Sequence, residues 1–147
     1  MAISGFKYDG GGSCGCSGPL PGNYPTKAAD TTNPKDLIGV KKVPLGLLPA
    51  VGKIYGALAM KNGADKYGPY NWRDKKVKMT IYLDAIERHL LALRDGEDCA
   101  QDSKLPHLAH IIAGASILAD AIECECLIDD RPKPGVASEL MDEFKEA

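Results

Sequence analysis

The sequence predicts an all-α fold, a helical bundle built around three long helices. Three segments repeat apolar residues at three- and four-residue spacing, which places those residues on one face of an α-helix. Glycine and proline separate the segments, and no run has the alternating pattern of a good strand. Three or four helices of this length form a thin bundle, so we expect a homo-oligomer, either a dimer or a tetramer.

Length and composition predict one soluble domain with tails. The chain has 147 residues, enough for a hydrophobic core, and a formal net charge of −2 with both signs mixed along it. This balance gives no electrostatic argument for binding nucleic acid or a membrane. The N-terminus lacks the pattern of a secretory signal, and His110 and Asp120 interrupt the longest apolar run. The expected location is therefore the cytoplasm.

Residues 1–32 are predicted to form a flexible arm. Glycine and proline are frequent there and apolar residues are few, so the segment cannot bury enough surface to offset the entropy lost on ordering. The next segment, Asn33–Val40, contains Pro34 and Gly39, which predicts an extended or turn-rich start rather than a helix. We place a helical domain at residues 33–130 and a C-terminal tail at 131–147.

Start and stop signals set the bounds of the predicted helices. Pro49 suits a first helical position, and Gly63 supplies the stop of the first long helix. Gly96 ends the second helix, and the N-cap pair Asp102–Ser103 begins the third, with Pro106 in its first turn. The tail contains apolar residues at helical spacing. The predicted helices are residues 49–62, 76–95, 104–127 and 138–145.

Two of these helices carry polar side chains on stripes that are otherwise apolar. Asp84 and Arg88 lie four residues apart on the second helix and therefore project together. His107 and His110 lie three residues apart on the third helix and likewise share a face. Burying ionisable groups is costly unless something pairs with them. A functional site between packed helices would explain both stripes.

Each of these residues has a functional and a structural interpretation. We predict His107 and His110 as metal ligands or as general base and acid, with Glu87 as a further catalytic candidate. His110 could instead be a hydrogen-bonded core histidine. Asp84 and Arg88 could instead form an ordinary helix ion pair.

Carboxylates are also frequent around the expected site. Those near it are Asp84, Glu87, Glu97, Asp98 and Asp102. Oxygen ligands suit Mg²⁺, whereas imidazole suits Mn²⁺ and other transition ions. We predict Asp84, Glu97 and Asp98 as ligands of Mg²⁺ or Mn²⁺. The alternative for Glu97 and Asp98 is an ordinary acidic turn.

The loop at 64–73 combines aromatic, amide and cationic side chains around a Gly-Pro turn. Such groups can hold a nucleobase and phosphates, although aromatic residues in loops are more often packing residues. The chain has no glycine-rich phosphate loop and no His-Asp doublet, which disfavours P-loop enzymes and HD-type phosphohydrolases. The substrate-binding candidates are Lys66, Arg88 and His89 for phosphate, and Asn71 and Trp72 for the base or sugar.

Four motifs occur in a specific order along the chain. They are Gly63–Gly68 with Asn71–Trp72, Tyr82–Ala85 with Arg88–Leu91, Gly96–Asp98, and Leu105–His110. In this order and spacing they resemble a phage family of MazG-like nucleotide pyrophosphohydrolases that includes the MazZ-type dATP/dGTP diphosphohydrolases. The resemblance covers the chain from Asn33 to about Glu123.

The resemblance implies an all-α, usually oligomeric enzyme that splits a deoxynucleoside triphosphate into the monophosphate and pyrophosphate. The implied substrate is dGTP, with dATP as the second candidate, and the dGMP formed would feed 2-aminoadenine nucleotide synthesis for a phage genome in the host cytoplasm. Classical members bind Mg²⁺ through two paired acidic motifs. Here the first becomes Asp84-x-x-Glu87, and in the second His107-x-x-His110 replaces both acids with imidazoles. The alternatives are a metallohydrolase acting on other nucleotides and a non-catalytic helical module that binds nucleotide or protein.

Overall fold

The computed structural model describes residues 33–132 and 135–146. The predicted arm, residues 1–32, lies outside the described residues. The described residues fall into two units, one before and one after the boundary between Leu47 and Leu48. The described part of the first unit contains helix α1, Pro34–Gly39, and a 3₁₀ turn, Leu45–Leu47.

Within its described residues, the second unit consists of helices joined by loops, with one pair of two-residue strands. The long helices are α2 (Ala50–Tyr67), α4 (Met79–Arg94) and α5 (His107–Glu123). The short elements are α3 (Asn71–Lys75), β1 (Val77–Lys78), β2 (Leu127–Ile128), α6 (Ala137–Glu143) and a 3₁₀ turn (Phe144–Glu146). The strands pair in parallel, with Val77 opposite Leu127 and Lys78 opposite Ile128. The prediction of an all-α fold is confirmed.

Helix α5 packs against both α2 and α4, and small residues form the contact surface. Ala59 of α2 is buried against Ala109 and Ala113 of α5. A Cβ atom at Gly56 would lie 2.9 Å from Ile112 Cγ2, and one at Gly114 would lie 2.9 Å from Ile86 Cγ1. Because these positions have no room for a side chain, glycine is what allows the helices to approach so closely.

The predicted extended start at residues 33–40 is wrong, because α1 is a helix. Asn33 is its N-cap, and its side-chain oxygen accepts a hydrogen bond of 3.0 Å from the Lys35 N–H. Pro34 occupies the first helical turn, where its missing N–H costs nothing. The cap and the proline therefore outweigh the turn signal of Gly39.

The predicted stop at Gly63 is also wrong, because α2 continues to Tyr67. A Cβ at Gly63 would meet nothing within 4 Å, so this glycine lies inside the helix without a packing or conformational requirement. The helix ends at Gly68, whose φ of 90° is open to glycine and strained for other residues. Pro69 follows and cannot continue the helical hydrogen bonds.

The bounds of the other two long helices differ from the prediction at three ends. α4 begins at Met79 rather than at residue 76 because residues 77–78 pair with β2, and it ends just before Gly96, as expected. α5 begins at His107 because Lys104 adopts a left-handed φ of 58°, which breaks helical continuity. It ends at Glu123, before β2. The two strands were not predicted, since two residues are too few for an alternating pattern to be recognised.

In the part of the chain that the structure describes, no helix is long and apolar enough to cross a membrane.

The close contact at Gly56 leads to a stability prediction. Gly56→Ala should lower the free energy of unfolding by about 1 kcal/mol, because the added methyl group overpacks against the stiff, β-branched Ile112. Gly63→Ala, in the same helix, is the matched control and should raise it by up to about 1 kcal/mol through helix propensity. Urea denaturation of both variants tests this. Equal effects of the two substitutions would contradict the packing described here.

Candidate active site

A cavity of about 480 Å³, the central pocket, lies among α2, α3, α4 and α5. Alanine, isoleucine and glycine residues of α4 and α5 contribute to its apolar walls. The polar and aromatic side chains that line it are Asn62, Lys66, Tyr67, Asn71, Trp72, Tyr82, His89, Asp102 and His110. The volume falls within the range of small-molecule sites, and an apolar cavity with a few converging polar groups is typical of them.

The three histidines of the chain form one cluster at this pocket. His89 Nδ1 of α4 lies 2.8 Å from His107 Nδ1 of α5. The His89 ring also stacks on the His110 ring, with 4.5 Å between ring centroids and 7° between planes. His110 Nε2 lies 2.8 Å from the Ser103 hydroxyl oxygen. Each imidazole is therefore oriented by contacts from a neighbouring element.

His107 is the innermost member of the cluster. Only 5% of the residue is exposed, and its Nε2 is buried without a hydrogen-bond partner among the described residues. Glu97 Oε2 is 3.8 Å from this nitrogen, longer than a hydrogen bond. The backbone N–H of His107 donates to the Asp98 carbonyl at 3.0 Å, which ties the loop after α4 to the start of α5.

Burial keeps the two pocket-facing imidazoles neutral. Desolvation lowers the pKa of His89, and the neighbouring His110 and His107 lower it further. Desolvation also lowers the pKa of His110, against the opposing effect of the Asp102 carboxylate. Neutral imidazoles keep a lone pair, so they can accept a proton or a hydrogen bond at neutral pH.

An ion pair between Lys66 and Asp102 lies beside the histidines. Their nearest nitrogen and oxygen atoms are 3.6 Å apart, and both side chains are well exposed. A hydrogen bond from the Ser103 backbone N–H lowers the pKa of Asp102, so this carboxylate is ionised at neutral pH. Both charges face the same pocket, which therefore offers one cation and one anion to a ligand.

Asp120 of α5 holds the wall of the pocket formed by α3, a role that the sequence did not indicate. Its carboxylate accepts hydrogen bonds from Trp72 Nε1 at 2.6 Å and from two guanidinium nitrogens of Arg73 at 2.8 and 2.6 Å. These bonds lower the pKa of Asp120 to about 2. The Arg73 guanidinium also lies 4.9 Å from the centre of the Tyr70 ring. The one available signal was that Asp120 interrupts an apolar run.

The structure brings most of the predicted substrate-binding residues together and separates others from them. Lys66, Asn71, Trp72 and His89 line the central pocket together with the catalytic candidate His110. Behind His89 lie His107 and Glu97.

The other candidates lie away from the central pocket. Asp84 and Glu87 line a different cavity with Asp129 and Arg131. Arg88 is exposed, and the described residues show no ion pair between Asp84 and Arg88. Asp98 is exposed, and its backbone carbonyl accepts the hydrogen bond from the His107 N–H.

The described residues do not form a ready metal cage. Among residues 33–132 and 135–146, no group of three or more His, Cys, Asp or Glu side chains is placed to hold a metal ion. The ring nitrogens of His89 and His107 face each other, and His110 Nε2 faces Ser103. Three ligands for a resident Mg²⁺ or Mn²⁺ therefore do not converge at the histidine cluster.

The chain is thus an all-α domain with a pocket lined by imidazole, amide and indole groups. The family model described as dATP/dGTP diphosphohydrolase, N-terminal, matches residues 32–131. The chain belongs to this family, which confirms the family resemblance found in the sequence.

A relative from Salmonella phage PMBT28, named dATP/dGTP diphosphohydrolase, is 31% identical over 90 residues. The aligned region covers 61% of this chain and 30% of the relative, so the chain spans less than a third of the length of that relative. No solved structure matches the chain significantly.

The Asp120 hydrogen bonds lead to a prediction about acid stability. The Asp120 pKa is about 2 in the folded protein, against about 3.9 for an aspartate in an unfolded chain. The stability it contributes is fully present above about pH 4 and is lost as the pH falls towards about 2. The Asp120→Asn variant should be less stable than the wild type at neutral pH. It should also lose less stability than the wild type as the pH falls from about 4 to about 2. Urea denaturation at a series of pH values measures both effects.

Tryptophan fluorescence separates this effect from that of other carboxylates. The chain has one tryptophan, Trp72, whose indole N–H bonds to Asp120. Asp120→Asn should therefore shift its emission. The matched control is Asp129→Asn, since the Asp129 pKa is also about 2 but its partner is Arg131, two residues away. An unchanged emission spectrum in Asp120→Asn would contradict the assigned role.

Proposed function

We propose that the chain is a metal-dependent hydrolase that splits a deoxypurine nucleoside triphosphate into the monophosphate and pyrophosphate. The main substrate would be dGTP and the second dATP, as the MazG-like resemblance implies. The observation that carries the proposal is that the family match, residues 32–131, spans every element that lines the central pocket. The name of the phage relative, dATP/dGTP diphosphohydrolase, supports the substrate class.

The wall formed by α3 is suited to the nucleoside. Asn71 presents an amide with donors and an acceptor, which can pair with the polar edge of a purine. Trp72 is buried, and its only N–H donor is taken by Asp120, so it would offer ring surface rather than a hydrogen bond. Tyr67 and Tyr82 add aromatic surface to the same pocket.

Lys66 is the cation best placed for the triphosphate. It lines the central pocket, and its present partner Asp102 is exposed, so exchange of the carboxylate for a phosphate oxygen costs little. Arg88 stays a candidate for phosphate binding, next to His89 in the sequence but with an exposed side chain.

The divalent ion would bind together with the substrate rather than at a site formed by the protein alone. Since no three ligands converge among the described residues, we propose that Mg²⁺ or Mn²⁺ enters on the triphosphate and is held mainly by phosphate oxygens. Asp102 is the carboxylate within the pocket that can add a ligand. When bound, the ion would neutralise phosphate charge and favour departure of pyrophosphate. Asp84, Glu87, Glu97 and Asp98 stay predictions as metal or catalytic residues.

The biological setting follows from the proposed reaction. The dGMP produced would feed 2-aminoadenine nucleotide synthesis for a phage genome, in the host cytoplasm. The phage origin of the relative is consistent with this setting.

We also propose that the chain forms a homo-oligomer. Val51, Ile54 and Leu58 share one face of α2 and are 61%, 57% and 43% exposed. An apolar stripe of this kind on a helix is typical of a surface covered by another protein chain.

Native mass spectrometry tests the oligomer. The wild-type chain should be a dimer or a tetramer, and Ile54→Lys should shift it to smaller species, because a charge at the centre of the apolar stripe is costly to bury. A monomeric wild-type protein would contradict the proposal.

The reaction itself is tested with purified protein, separate deoxynucleoside triphosphates, and Mg²⁺ or Mn²⁺. The expected products from dGTP are dGMP and pyrophosphate, resolved by ion-exchange chromatography. Formation of dGDP and orthophosphate would reject the reaction. A nucleotide-dependent thermal shift without turnover would favour the alternative, a non-catalytic binding module.

The assignment of Lys66 to phosphate binding is tested by Lys66→Ala. Loss of a charge-assisted hydrogen bond should raise KM for dGTP about tenfold or more. Lys61→Ala is the matched control, because Lys61 lies on the same helix, pairs with Asp65 and does not line the central pocket. Its KM should match that of the wild type, and equal KM values for both variants would refute the assignment.

A further inference from the structure

We propose that His89 is the general base of the central pocket and that His107 and Glu97 hold it in the required tautomer. The inference rests on the proposed triphosphate hydrolysis. It gives His89 a role different from the phosphate binding predicted from the sequence, and Glu97 a role different from the predicted metal binding. His107 and Glu97 act as positioning residues, because they do not line the pocket.

The rings of His89 and His107 meet through two like atoms, Nδ1 of each ring. Two Nδ1 atoms at 2.8 Å are at hydrogen-bond distance, so one of them carries a proton and the other accepts it. The two Nδ1 atoms cannot both carry a proton, and they cannot both present a lone pair. The pair therefore has two possible arrangements, which differ in the donor.

The buried nitrogen of His107 decides between these arrangements. His107 Nε2 is buried without a hydrogen-bond partner in the described residues, and the nearest acidic oxygen, Glu97 Oε2, is 3.8 Å away. A lone pair at Nε2 would face a carboxylate and be repelled, whereas an N–H would be attracted. The proton of His107 is therefore on Nε2, and His107 Nδ1 is the acceptor.

The tautomer of His107 determines the tautomer of His89. If His107 Nδ1 accepts, His89 Nδ1 is the donor, and the free lone pair of His89 is on Nε2. His89 lines the central pocket and His107 does not, so this lone pair belongs to the pocket-lining imidazole. The stacked ring of His110, itself bonded to Ser103, fixes the plane of the His89 ring. Burial lowers the pKa of His89, which keeps the base neutral before the reaction.

The proposed step is hydrolysis by water at the α-phosphorus. His89 Nε2 takes a proton from the water as the water oxygen forms its bond to the α-phosphorus. The bond between that phosphorus and the α,β-bridging oxygen breaks, and its electron pair leaves with pyrophosphate. The imidazolium then releases its proton to solvent, which restores the neutral base. The hydrogen bond that His89 Nδ1 donates to His107 Nδ1 keeps the His89 ring in place while Nε2 carries the proton.

The tautomers can be measured without turnover. The chain has three histidines, so a ¹H–¹⁵N long-range correlation spectrum at neutral pH is simple to assign with single-histidine variants. We expect a protonated Nδ1 in His89 and a protonated Nε2 in His107. A protonated Nε2 in His89 would overturn the proposal. In Glu97→Gln the two tautomers should mix, whereas in Asp95→Asn, the loss of a nearby exposed charge, they should stay as in the wild type.

Kinetics test the catalytic role. His89→Ala should lower kcat by about 10²–10⁴-fold and leave KM within about threefold, as expected for a lost general base. Added imidazole should restore part of kcat in this variant and leave the wild type unchanged. Glu97→Gln should lower kcat about tenfold with KM unchanged, and Asp95→Asn should match the wild type.

The outcomes separate the two proposals. A wild-type protein that hydrolyses no deoxynucleoside triphosphate would overturn the proposed function, whatever the tautomers. An active wild type with a tenth or more of kcat left in His89→Ala would overturn the base assignment alone.

Discussion

The close approach of α5 to α2 and α4 is the contact on which the central pocket depends. Alanines fill the interface, and at Gly56 and Gly114 a single added carbon would lie 2.9 Å from an isoleucine of the facing helix. This spacing brings the first turn of α5 within hydrogen-bond distance of α4, so that His107 meets His89 at 2.8 Å. A hydrogen bond needs its heavy atoms within about 3.2 Å, so larger interface residues that separated the helices would weaken this contact.

The pocket contains both neutral imidazoles, which can accept a proton, and charged groups, which can balance the charge of a phosphate. Burial lowers the pKa values of His89 and His110, so these imidazoles offer lone pairs rather than positive charge. A triphosphate therefore needs its charge balanced from elsewhere, and Lys66 with a bound divalent ion would supply that balance. The separation of neutral base and charged groups suits a hydrolase, because a base must stay unprotonated next to a highly charged substrate.

Asp120 illustrates how an acid near a pocket can serve the fold rather than the chemistry. α3 has five residues and is too short to be stable as an isolated helix. Its Trp72 and Arg73 are held by the Asp120 carboxylate, which fixes the indole as a wall of the pocket. Asp120 itself does not line the central pocket, so its loss would affect substrate binding through the position of Trp72.

Local chemistry determined the all-α class, the existence of three long helices, the end of α4 at Gly96 and the family, because apolar periodicity, caps and motifs depend on neighbours in the sequence. Local signals also conflicted, and this is why α1 and the passage of α2 through Gly63 were predicted wrongly. The candidates that proved to share the pocket are Lys66, Asn71, Trp72, His89 and His110. Only the tertiary structure decided that Asp84 faces another cavity and that His89 pairs with a residue 18 positions away. Such pairings depend on the rotation and separation of packed helices, which are set by contacts between residues distant in the sequence.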